Sequence, residues 1–355
     1  PGSVVRRRNA SLRRCSCQDQ VMTELNQRVI LLKRPEGALT DDCFALEEEQ
    51  LGDLEQGQVR VAVDYLSVDA FIRTTLRDTG FHQTVPTGST IGALGVGHIL
   101  ESKVEGWEVG DAVKGGLGAQ TIATVGVDGL QKADETLAPL SAHLGALGLT
   151  TGLTAWVGVR NVGRPAAGET FVVSAAAGAV GSIAGQIAKI DGARVIGIAG
   201  GERKKAYLLD ELGFDGAIDY RNEDVAARLR ELAPDGVDVF FDNVGGDILD
   251  TVLDQLAMRA RVVICGAISQ YERTGDVKGP SLYLRLAERQ SRMEGFAVFH
   301  FPESFEQATA ELSGWLADGS LRMPEEVLDG IDRFPEALQM MFTGANLGKL
   351  LVKVR

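Results

Sequence analysis

Residues 168–201 read GETFVVSAAAGAVGSIAGQIAKIDGARVIGIAGG. Thr170 to Ser174 is a short apolar, β-branched run of the kind that becomes a buried parallel strand. Ala176-x-Gly178-x-x-Gly181 follows and opens an apolar helix that runs to about Ile190. Arg194 to Ala199 is a second apolar run. Strand, glycine turn, helix and strand within roughly 30 residues make one βαβ unit, half of a dinucleotide-binding fold. Gly178 and its neighbours let backbone N–H groups approach a pyrophosphate, and Gly181 lets the helix pack close to the sheet. The helix N-terminus adds the positive end of its dipole. By itself such a pattern also fits an ordinary tight βα turn; the two flanking buried strands favour the nucleotide.

The end of the second strand selects the nucleotide. An NAD site places Asp or Glu there to accept from the ribose 2′-hydroxyl. Here the strand runs into Gly200-Gly201-Glu202-Arg203-Lys204-Lys205. Three cations would neutralise a 2′-phosphate, which favours NADPH/NADP+. Glu202 reads as the start of the next helix; the competing reading of the cations is a solvated basic first turn.

The rest of the chain alternates in the same way. Helices are expected from about Arg203 to Leu212, Asp224 to Leu232 and Asp247 to Met258. Strands are expected near Ala217 to Asp219, Val237 to Asp242 and Arg261 to Ala267. This alternation implies a doubly wound parallel sheet, with a further helix over Glu303–Leu316. Before it, Val59 to Val68 alternates at period two, and Ile91–Ser102 and Gly110–Lys114 continue a strand-and-turn pattern with glycines at expected barrel corners. Residues 139–163 read as a helical linker, and Gly344–Val354 ends as a strand returning to the N-terminal domain. The expected domains are a barrel over 22–140, completed by about 310–355, and a nucleotide domain over 141–310.

Composition sets the outer limits. A chain of 355 residues fits about two domains. With 45% apolar and 24% charged residues it reads as globular. A net charge of −13 argues against nucleic-acid and anionic-membrane partners, and no apolar run reaches the roughly 18 residues that span a bilayer. Cys15, Cys17, Cys43 and Cys265 have neither metal spacing nor a disulfide framework, and the four histidines are scattered. A reducing, cytoplasmic setting is expected. Residues 1–21, with five arginines and no apolar periodicity, read as a disordered tail. Pro1-Gly2-Ser3 is the kind of remnant a cloning step leaves, and an Arg-rich, acid-poor segment also fits a transit peptide. The preferred reading is an upstream extension, with Met22 as the natural start.

Several motifs, in order and spacing, resemble the zinc-independent medium-chain dehydrogenase/reductases, in the alkenal/enone reductase branch. They are LSVDAFIR (66–73), LGLTTGLTAW (147–156), VSAAAGAVGS (173–182), FDNVGG (241–246), ICGAISQY (264–271) and GANLGK (344–349). The resemblance implies a Rossmann-type sheet plus a GroES-like β-barrel, and a homodimer. It implies cofactor contacts from Gly178, Ala179, Val180 and Gly181 at the pyrophosphate, and from Lys204 and Tyr220 at the 2′-phosphate. Asn243 would contact the ribose, and the loop Cys265, Gly266, Ala267, Ile268, Ser269 and Tyr271 would lie beneath the nicotinamide. Phe296, Ala297 and Val298 would hold the carboxamide through their backbone, with Asn346 a further contact. Each has a plainer alternative: Asn243 as a turn former, Tyr220 as a surface aromatic, Phe296 and Val298 as strand core, Asn346 in a left-handed turn, Cys265 as packing.

The activity implied is zinc-independent reduction of the C=C bond of a small α,β-unsaturated aldehyde or ketone by NADPH. Such a reaction needs the β-carbon positioned at the hydride donor and a hydrogen-bond donor to the carbonyl. Tyr271 and Tyr65 are the candidate catalytic tyrosines, against packing roles in the loop and in the barrel core. Asp69-Ala70-Phe71-Ile72-Arg73 departs from the family's usual Asp-Pro-x-Met-Arg. Arg73 reads either as an anchor paired to a carboxylate or as a surface charge. The rival readings are a quinone reductase of the same superfamily and a non-catalytic NADPH-binding redox sensor.

Overall fold

A computed structural model describes residues 25–78, 82–273 and 278–355. The readings made on residues 1–21, on Cys15 and Cys17, and on Met22 lie outside them. The described chain folds around two large sheets. The N-terminal strands are β1 (Leu25–Leu31), β2 (Phe44–Gln50), β3 (Gln58–Ser67), β4 (Leu94–Ser102), β5 (Ala112–Gly116), β6 (Ile122–Gly126) and β7 (Gln131–Lys132). The central strands are β8 (Thr170–Ser174), β9 (Arg194–Ala199), β10 (Gly216–Asp219), β11 (Val237–Asp242), β12 (Leu256–Ile264) and β13 (Arg292–Gly295). The chain closes with β14 (Glu325–Asp329) and β15 (Lys349–Lys353).

The second group forms one sheet in the order β10-β9-β8-β11-β12-β13, and every pairing in it is parallel. Its strands read as continuous apolar runs because helices cover both faces. Phe171, Phe240 and Phe241 are fully buried, each stabilising the fold by about 1.5–3 kcal/mol relative to an exposed ring. The strand order reverses between β8 and β9 on one side and β11 on the other, and a ligand crevice opens at the carboxyl ends of strands flanking such a switch point.

The other sheet runs β14-β15-β3-β4-β5-β7, with β6 also on β3. β15 pairs antiparallel with β3, so the last strand completes the N-terminal sheet. The linker is less regular than expected. Leu149–Leu153 and Gly158–Gly163 are wide π-helical turns around a short α-helical segment, Thr154–Val157. A Cβ at Gly158 would lie 2.6 Å from the Phe241 ring and 2.7 Å from Phe296, so the linker crosses the sheet at van der Waals distance. The helix expected through Met258 stops at Leu253, and Leu256 is already in β12.

Candidate active site

The glycine turn stands at the end of β8. Ala175 has a left-handed backbone (φ 48°) and its carbonyl accepts from Gly178 N–H at 2.9 Å. Such an outlier in a non-glycine residue persists where the surrounding fold over-determines it. Gly178 then precedes the helix Ala179–Ile190 with no side-chain cap, so N–H groups of the first turn are left for an anion. A Cβ at Gly181 would sit 2.4 Å from the Ala175 carbonyl oxygen, closer than any side chain allows. Across the turn, Gly348 N–H donates to Ala177 O at 2.8 Å, and Gly178 and Gly348 form a parallel bridge. One wall of the cradle therefore comes from the GANLGK segment. Gly348 has φ +67°, and a Cβ there would strike the Pro324 carbonyl at 2.2 Å.

A second cationic region lies at the end of β9. Glu202 does begin the next helix, Glu202–Ala206. Lys204 Nζ donates to Gly344 O at 3.0 Å. Arg221, a residue not singled out in the sequence, donates through Nη2 to Thr343 O at 2.8 Å, and its guanidinium lies 6.0 Å from the centre of the Tyr220 ring. Tyr220 is 44% exposed and serves as that guanidinium's platform. Burial, and after it the charge of Arg221, pushes the Lys204 ammonium below its usual range. Two cations held together without an ion pair to either among the described residues form a socket for a dianion. Asp219 shapes it: buried at the end of β10, its carboxylate accepts from Gly201 N–H, Arg221 N–H and Asn222 Nδ2. Burial alone would raise that carboxyl, yet these donors hold it below its ordinary value.

The third region follows β11. Asp242 is buried and accepts from Ser174 Oγ at 2.8 Å and from the N–H groups of Val244 and Gly245. Burial nevertheless pushes its carboxyl up. Asn243 donates its amide Nδ2 to Ser174 O at 2.8 Å, tying β11 to β8. The backbone N–H groups of Cys265 and Gly266 donate to Asp242 O, Ile268 N–H to Asn243 O, and Ser269 Oγ to Val244 O. The loop 265–271 is thus pinned to the end of β11. Within it the Tyr271 hydroxyl accepts from Ala267 N–H at 3.2 Å, which leaves its own proton available. A Cβ at Gly266 would lie 3.3 Å from that hydroxyl. Burial pushes the Tyr271 phenol up, more than the Ala267 N–H lowers it, so the group is a donor at neutral pH. Burial pushes the Cys265 thiol up to about 12, with Asp242 adding to it; this sulfur is no nucleophile.

The remaining expected residues lie as follows. Phe296 makes edge contacts with Phe241 (6.4 Å, 71°) and Phe301 (6.5 Å, 78°), and Val298 is buried, so both side chains are core. The Ala297 carbonyl accepts from His300 N–H. Asn346 is buried and donates to Gly348 O at 3.3 Å. The left-handed residues around it are Gly344 and Gly348, and Asn346 is not one of them. Tyr65 lies on β3 among Val96, Leu140, Leu144 and Leu351, a cluster separate from the one that Cys265 joins. Arg73 is not a surface charge, and among the described residues it is paired to no carboxylate. It is fully buried, donates through Nη2 to Gly37 O at 2.6 Å, and burial lowers its pKa. Among the described residues no group of three His, Cys, Asp or Glu could hold a metal.

These features bring together an uncapped glycine turn, Gly178–Gly181, and two neighbouring cations, Lys204 and Arg221, at the carboxyl ends of the parallel strands. Residues 179–314 match a family model described as zinc-binding dehydrogenase, and residues 27–133 one described as the N-terminal domain of oxidoreductase. The chain is 43% identical to the putative NADP-dependent oxidoreductase YfmJ of Bacillus subtilis, over 94% of this chain and 99% of that one. It is 39% identical to prostaglandin reductase 1 of Rattus norvegicus, over 91% and 97%. The structure of CurA in complex with NADPH from Vibrio vulnificus superposes with a TM-score of 0.87 at 35% identity, covering 93% and 99%. The chain belongs to the medium-chain dehydrogenase/reductase family, in its zinc-independent alkenal/enone reductase branch, and it is an NADP-dependent oxidoreductase. No helix of the described residues is long and apolar enough to cross a membrane.

Proposed function

We propose that this enzyme reduces the C=C bond of small α,β-unsaturated aldehydes and ketones. The observation that carries the reading is the Tyr271 hydroxyl, whose acceptor side takes Ala267 N–H while its proton remains free. Bound NADPH supplies the hydride. Gly178–Gly181 and the pair Lys204 and Arg221 fix the dinucleotide at its two phosphate positions. The loop 265–271, fastened to Asp242 and Val244, sets the height of Tyr271 above the crevice. Tyr271 then donates a hydrogen bond to the substrate carbonyl oxygen as enolate charge develops there, a contribution of the oxyanion-hole type. The phenol proton completes the saturated carbonyl by way of that oxygen. Tyr65 would act as a wall residue of the barrel. The names of relatives, prostaglandin reductase among them, support an unsaturated carbonyl substrate.

The decisive experiment supplies NADPH and trans-2-hexenal and identifies the product by mass spectrometry. Hexanal is expected; the allylic alcohol would refute the reading. Tyr271→Phe is expected to lower kcat by about 10²-fold or more while leaving the NADPH KM in place.

A further inference from the structure

Away from the cofactor crevice, an open cleft of about 400 Å³ separates β5 from the helix Phe305–Asp318. Its walls are largely apolar, with Leu137, Leu153, Phe305 and Ala310 prominent, and Lys114 lines it from β5. Most of the other lysines differ. Lys349, Lys205, Lys189 and Lys132 are held by carboxylates, and Lys103 and Lys204 donate to carbonyls. Among the described residues no group on the protein compensates the burial of the Lys114 ammonium. The titratable groups facing it are Glu306, on the helix wall, and His143, on the turn Leu140–His143. His143 is kept neutral by burial and by the charge of Lys114, and its Nδ1 has no partner.

A half-buried amine without a counter-ion, beside apolar walls, is a nucleophile seated next to a place for an alkyl chain. Of the two cysteines among the described residues, Cys43 is fully buried and the Cys265 thiol is pushed up to about 12. We propose that Lys114 is a covalent modification site for small α,β-unsaturated aldehydes, with their alkyl chains lying along Leu137, Leu153 and Phe305. The neutral Nζ forms a bond to the β-carbon while the C=C π pair moves to the α-carbon. The proton that the nitrogen releases passes through water to that α-carbon. The aldehyde is retained, nothing leaves, and the chain gains the mass of one alkenal. Burial lowers the Lys114 pKa below the usual lysine range, so neutral amine is present at a lower pH than on an exposed lysine.

The reaction needs neither cofactor nor turnover, so it stands or falls apart from the reductase reading. The full chain is incubated with trans-2-hexenal in the absence of NADPH, reduced with borohydride, and mapped by peptide mass spectrometry. At a single pH, Lys114 is expected to acquire the addition mass measurably faster than the exposed Lys278. Its rate should rise with pH, and Lys114→Arg should lose this label while keeping the others and the melting temperature. Labelling of Lys114 no faster than Lys278, or at the mass of a reduced imine in place of the addition product, would overturn the proposal.

Discussion

At the residue scale, the proposed function makes the pair Lys204 and Arg221 the point of cofactor choice. Lys204 and Arg221 reach one place from different strands, and each would give a 2′-phosphate a charge-assisted contact worth about 1.5–3 kcal/mol. Lys204→Ala and Arg221→Ala are each expected to raise the NADPH KM by about 10- to 150-fold. The NADH KM should stay unchanged, and steady-state kinetics with both cofactors measures the split. Lys204 was legible because three cations follow the β9 glycines in sequence. Arg221 was not, because it follows a different strand and reaches the socket only through sheet order and its seat on Tyr220. Arg73 shows the same blindness in another form: nothing in DAFIR says that its arginine is buried against the Gly37 carbonyl. Tyr271 gives a prediction in pH. A phenol whose pKa is raised by burial stays protonated to higher pH. The basic limb of the kcat profile should therefore lie above about 10, the ordinary tyrosine value; a limb near neutrality would assign the proton elsewhere.

At the element scale, the strand–turn–helix–strand unit was readable because local and tertiary preferences agree there. Its apolar strands are buried and its glycines are required by contacts as close as 2.1 Å, at Gly185 against Phe214. Gly181→Ala should cost about 1–3 kcal/mol of stability through overpacking, measured by urea unfolding, and should weaken NADPH binding as the turn is forced open. The helix after β11 was less readable. DILDTVLDQLAM keeps a helical period past Leu253, but Leu256 pairs with Val237 in the sheet and ends it. β15 depends on a buried ion pair at its first residue. Lys349 Nζ donates to Asp69 Oδ1 at 2.9 Å and to Ser67 Oγ at 2.6 Å, and Thr150 of the linker donates to the same carboxylate. Lys349→Met leaves that carboxylate buried and unpaired, which should cost about 3–5 kcal/mol. Pairing it with Asp69→Leu should recover part of the loss in the same unfolding assay.

At the scale of the whole molecule, the alternation of β and α elements announced the large sheet, and the motif set announced its companion. How the two sheets meet was hidden, because residues more than a hundred positions apart make the junction. The outer edge of the large sheet carries a further expectation. β13 is exposed along its length, Met293 included, with Met258 and Leu284 exposed on neighbouring elements. An unpaired parallel edge beside apolar side chains is a surface for a second strand, so a homodimer joined edge to edge is expected. Light scattering during size-exclusion chromatography tests this, and Met293→Lys should shift the equilibrium toward monomer.

The stretch Gly344–Lys349 has a consequence in time. It walls the phosphate cradle through Gly348, receives Lys204 through the Gly344 carbonyl, and plants Lys349 beneath β3. A nascent chain that has already folded its βαβ unit still has an unfinished socket until these six residues emerge from the ribosome. Cofactor capture must then wait on these residues, as the step that locks an already folded βαβ unit rather than the seed around which it forms.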